Sequence, residues 1–130
     1  MKTWLSLLVA IALAGCARAG TDALNEHGTV RTLSVAGTPN LLADCLTTKL
    51  DEDDLAGIKV TRSRILPNGA IELQGKHHTG VQLIWMALLT ATGPSATRVD
   101  LTTRNFAYID MSGDEVAAHI QGKLATCAKG

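Results

Sequence analysis

Along the 130 residues of this chain, apolar positions come first as one unbroken run and only later with a period. The run, Trp4 to Ala14, follows the lone charge of Lys2 and gives way to small residues, the order of an export leader. It is shorter than the roughly 20 apolar residues a spanning helix needs. Residues 17–28, ARAGTDALNEHG, are small and polar without a period and read as a flexible tether. Thr29 to Val35 then alternates, with Leu33 and Val35 on one side, and predicts a short first strand. Thr38-Pro39 offers a cap and a proline at the first helical position. Leu41, Leu42, Cys45, Leu46 and Leu50 follow at helical spacing, which predicts a helix with Cys45 on its buried stripe.

At Gly57 the period becomes two. Ile58 and Val60 alternate with Lys59 and Thr61, Pro67-Asn68-Gly69 supplies a turn, and Ile71 and Leu73 alternate with Glu72 and Gln74, a β-hairpin pattern. A second hairpin is predicted from VQLIWMALLTAT, the Gly93-Pro94-Ser95 turn and ATRVDLTTR. Periodicity alone also allows a buried helix for the apolar run, but turn residues bracket it and its Thr-rich end suits a strand. Read as a strand, it points Val81, Leu83, Trp85, Ala87 and Leu89 to one face and Ile84, Met86 and Leu88 to the other. Ser112-Gly113-Asp114-Glu115 has the S-x-x-E form of a capping box, and Val116, Ile120, Leu124 and Cys127 make one stripe of a last helix. These elements predict an α+β two-layer sandwich: an antiparallel sheet of about four strands with an N-terminal and a C-terminal helix on one face.

Leu13-Ala14-Gly15-Cys16 resembles the lipobox of bacterial lipoproteins at all four positions. That resemblance implies a diacylglycerol on the Cys16 sulfur, cleavage before Cys16, acylation of the new amino group by a palmitate-like chain, and membrane attachment through the lipid. It covers the leader alone. A competing site, Ala17-Arg18-Ala19 before Gly20, would instead release a soluble periplasmic protein. Position 17 is Ala rather than the Asp that retains many lipoproteins at the inner membrane, so the family rule points to the periplasmic leaflet of the outer membrane. The expected division is 1–15 leader, 16–28 lipidated tether and 29–130 a single periplasmic domain. With Cys16 lipidated, Cys45 and Cys127 remain as an even pair in an oxidising compartment and are expected to form a disulfide between the helices.

Composition narrows the function. Twelve Lys and Arg balance twelve Asp and Glu, and loss of Lys2 leaves eleven against twelve, so no strong field draws the chain to nucleic acid. With Trp4 in the leader, Trp85, Phe106 and Tyr108 are too few rings for a base- or sugar-stacking platform. Asp51-Glu52-Asp53-Asp54 lacks the ligand order of an EF-hand and reads as a solvated connection. His77 and His78 are adjacent, so an extended chain points them to opposite sides; His27 lies in the tether and His119 has no partner at fixed spacing. No serine sits in a nucleophile elbow and no glycine-rich phosphate loop occurs. Neither a metal nor a cofactor is expected.

The residues therefore predict a lipid-anchored, non-enzymatic protein-binding module: an envelope assembly factor, an inhibitor or an immunity protein. Its expected partner is an envelope protein or a homodimer mate. Ile84, Met86 and Leu88 are the candidate interaction face, framed by Arg62, Arg64, Arg98 and Arg104. The alternative is a small periplasmic enzyme or ligand carrier with a site between sheet and helices, drawing on His77, His78 or Asp110.

Overall fold

The computed structural model describes residues 28–53, 58–77, 83–105 and 111–128. The leader, Cys16, the tether up to His27, and Asp54, His78, Val81, Phe106, Tyr108 and Asp110 lie outside the described residues. The elements run β1 (Thr29–Ala36), α1 (Pro39–Asp53), β2 (Ile58–Ile65), β3 (Ile71–His77), β4 (Leu83–Gly93), β5 (Ala96–Thr103) and α2 (Gly113–Cys127). The fold is α+β. Its one antiparallel sheet has five strands in the order β1-β5-β4-β3-β2, where the sequence pattern predicted about four. The fifth strand is β1, expected as a short first strand but not counted into the sheet, and it pairs along its whole length with β5.

The two hairpins form where the turn chemistry predicts them. Leu66 N–H donates to Ala70 O (2.8 Å) and Gly69 N–H to Leu66 O (2.9 Å), while Gly69 takes φ 84°, which glycine adopts without steric cost. Asn68 Oδ1 accepts from Ala70 N–H at 3.1 Å, closing the turn from the side chain. At the other end of the sheet, Gly37 (φ 121°) makes the bend from β1 into α1. Its N–H donates to Ser95 O (2.8 Å) and its carbonyl accepts from buried Thr97 Oγ1 (2.8 Å), so this bend is fastened to the β4–β5 turn.

Both helices start as the sequence predicts. Thr38 Oγ1 accepts from Leu41 N–H (3.4 Å) at the head of α1. In α2, Ser112 Oγ accepts from Glu115 N–H (3.2 Å) and Glu115 Oε1 accepts from Ser112 N–H (3.3 Å), a complete capping box. The Gly113 N–H adds a 2.6 Å bond to Asn105 Oδ1, tying the helix start to the end of β5. The core joins Leu42, Leu46 and Leu50 of α1 and Val116, Ile120 and Leu124 of α2 to Leu73, Ala87, Leu89, Val99 and Leu101 of the sheet. Helix α1 packs on β2, β3 and β4, α2 on β5 and β1, and the helices pack on each other. Cys45 and Cys127 lie at disulfide distance with Cα atoms 5.9 Å apart, joining the middle of α1 to the last residue of α2.

Two predicted faces need correction. Leu41 is 61% exposed, because the buried stripe of α1 runs through Leu42, Ala43, Leu46 and Leu50 and leaves it roughly a quarter-turn off. Ile84, assigned to the face opposite Trp85, is buried with Trp85 in the core. Gly75 pairs with Trp85 and Lys76 with Leu83, so Ile84 is the extra residue of a β-bulge, and a bulge brings two successive side chains to one face.

Candidate functional site

The sheet face opposite the core carries alternate residues in register across the strands. One row runs Thr32, Asp100, Leu88, Glu72, Arg64; the next places Val30, Thr102, Met86 and Gln74 side by side. Met86 and Leu88, the remaining members of the predicted interaction face, are half-buried in the middle of these rows. Polar neighbours close around them. Thr32 Oγ1 donates to Asp100 Oδ1 (2.9 Å), Arg98 Nε to Asp100 Oδ2 (3.2 Å) and Gln74 Nε2 to Glu72 Oε1 (2.8 Å), while Arg64 Nη2 lies 3.5 Å from Glu72 Oε2. Arg64 and Arg98, expected to frame the face as cations, are thus each set against a carboxylate, and Arg104 is engaged as well. Exposed pairs of this kind contribute about 0–1 kcal/mol each, so their effect is to cover the apolar centre more than to stabilise the fold.

The ends of the sheet differ from each other. At one end β2 carries Lys59, Arg62 and Arg64 and is interrupted by a register shift between Val60 and Arg62. At the other, β1 runs eight residues without a shift, TVRTLSVA, with its even-numbered positions exposed and Leu33 and Val35 packed at the rim of the core. Arg31, the single charge on β1, turns to the core side, where it pairs with Asp114 at the start of α2 and donates to Thr103 Oγ1 (3.4 Å). Charge, bulge and proline are the usual protections of an edge strand; β2 has the first two and β1 has none facing outward.

Elsewhere a cluster of ionisable groups joins the helices. His119 Nε2, shielded from solvent, lies 2.5 Å from Asp53 Oδ2, and Lys123 Nζ lies 3.2 Å from the same oxygen. The hydrogen bond from Lys123 is the main reason the Asp53 carboxyl sits below its ordinary value of 3.8; burial opposes this, and the charges of Lys123 and His119 add to it. His119 and Lys123 are four apart on α2 and reach the last residue of α1, so the cluster clasps one helix end to the other helix. Sequence reasoning missed it because Asp53 and His119 meet only in space; Asp51 and Glu52 of the same acidic run are exposed, but they belong to the last turn of α1 and not to a connection after it. Among the described residues, no group of three or more His, Cys, Asp or Glu is placed to hold a metal ion.

Between the sheet and the helices, Trp85 is fully buried and its Nε1 has no hydrogen-bond partner. The indole lies against Gly75 on β3, where a Cβ would overlap Nε1. His77, at the end of β3, is half-buried and engaged by a partner. No family model matches the chain, and no match is found to a curated protein or to a solved structure.

Proposed function

We propose that the protein is an envelope lipoprotein, anchored through Cys16 at the periplasmic leaflet of the outer membrane, that works by binding protein rather than by catalysis. In this reading its domain is a two-layer sandwich with both helices over one sheet face. The lipobox resemblance supports the anchor. The observation that carries the binding role is β1, an unbulged eight-residue strand at the end of the sheet with no outward charge. Such a strand offers a row of backbone donors and acceptors to another strand, the chemistry of β-augmentation. Met86 and Leu88 on the open face are a weaker candidate because polar side chains already crowd them. The layer between sheet and helices is lined by fully buried Leu, Ile and Val, which favours a packed core there over a ligand or substrate site.

Crosslinking in membranes, followed by extraction and identification of every captured protein, tests the binding role. The expected result is a crosslinked protein, a second copy included, attached through β1; recovery of the chain alone overturns it. Intact mass of the extracted protein tests the anchor. A chain beginning at Cys16 and carrying acyl groups is expected, and an unlipidated chain beginning at Gly20 overturns it.

A further inference from the structure

We infer that the occupant of the β1 edge is the β1 edge of a second copy, paired antiparallel about a twofold axis perpendicular to the sheet. This rests on the edge-binding reading and names its partner. Such an axis keeps both faces continuous, so even-numbered residues must oppose even-numbered ones and odd must oppose odd. With Leu33 opposite Leu33 of the second copy, Val30 faces Ala36, Arg31 faces Val35 and Thr32 faces Ser34 in both halves.

In that register no charge opposes a like charge, since Arg31 is the only charged residue on the strand and is already held by Asp114. The pairing also covers what the fold leaves half-covered. Leu33 and Val35 pack at the rim of the core without being fully buried, and Val30 is 57% exposed. Strand β2 is unsuited to such a pairing. Its bulge between Val60 and Arg62 breaks the ladder, and three cations in its eight residues, Lys59, Arg62 and Arg64, would put six like charges on one two-strand ribbon. A head-to-tail contact of β1 on β2, which would grow without limit, meets the broken ladder of β2, so the two unlike edges favour a closed pair. A single ribbon contact is smaller than a standard interface, and confinement of two anchored copies to one leaflet supplies the effective concentration that offsets this.

The test uses the full chain in lipid vesicles with a photo-crosslinking residue, p-benzoylphenylalanine, at Ala36, the exposed end of β1. The expected product has the mass of two chains, with both linked peptides from β1. Thr32→Lys combined with Val30→Lys removes it; Thr32 faces Asp100 on β5, so a lysine there keeps a partner within its own fold. Ile65→Lys, at the 70% exposed end of β2, leaves the product unchanged. Amide hydrogen exchange is read on the same samples. The β1 amides turned away from β5 lose protection when the protein is diluted into excess lipid, while those bonded to β5 keep theirs in every variant. Three results overturn the inference: no two-chain product, a product that survives the β1 lysines, or outward amides protected at every dilution because another part of the same chain covers them. A crosslink from β1 to a different protein also overturns it, while leaving the edge-binding reading standing.

Discussion

At the scale of single residues, the tightest constraint is the contact of Trp85 with Gly75. Any side chain at 75 enters the indole, and the rigid strand pair gives the ring nowhere to go. Gly75→Ala is therefore expected to lower stability by about 1–3 kcal/mol, read as the shift of a urea midpoint, and Trp85→Phe in the same background to recover part of the loss. The acidic limb of stability depends on Asp53. Because its carboxyl is held below 3.8 by Lys123, folding gains from it at any pH above that value and loses the gain as the pH falls through the lowered one. Wild type and Asp53→Asn should then differ in stability at neutral pH and converge in strong acid, as a series of thermal melts from pH 7 to pH about 2 will record. Neither feature was readable from the chain. A glycine in a strand pattern signals a close approach without naming the neighbour, and an acidic run does not say which of its members finds a cation 70 residues away.

Among the elements, α2 was the most legible, because its start is encoded locally: Ser112 and Glu115 satisfy each other's backbone partners whatever the rest of the chain does. Ser112→Ala is expected to cost about 1 kcal/mol, measurable as a lowered melting temperature without change in oligomeric state. The hairpins were legible for the same reason, with Pro67-Asn68-Gly69 and Gly93-Pro94-Ser95 fixing their turns. Strand β4 was legible as a strand but not in its facing. A bulge shifts the alternation by one, and LIWMA is apolar at every position, so no polar residue marks where the shift occurs. Two of the three residues of the candidate face were therefore visible: Met86 and Leu88 lie where the alternation puts them, and Ile84 does not. The importance of β1 lay in its place at the end of the sheet, which no short-range pattern records.

For the molecule as a whole, the Cys45–Cys127 link spans 82 residues and closes β2 to β5 and most of both helices into one loop, with β1 outside it. The chain-entropy model values a loop of that length at about 4–5 kcal/mol, against a total of about 5–15 kcal/mol for a typical domain. Replacing both cysteines by serine should lower the unfolding free energy by that order, and urea unfolding of the wild type with a reductant present should show the same loss. The sheet order has a temporal counterpart. Thr29 is met by Thr103, so the first strand of the described fold stays without its neighbour until nearly the whole polypeptide has followed. Assembly cannot proceed strand by strand from the start of the chain. A polypeptide halted before Ala96 would hold a three-strand meander and a stray ribbon with nowhere to dock, the kind of species that chaperones hold and proteases remove.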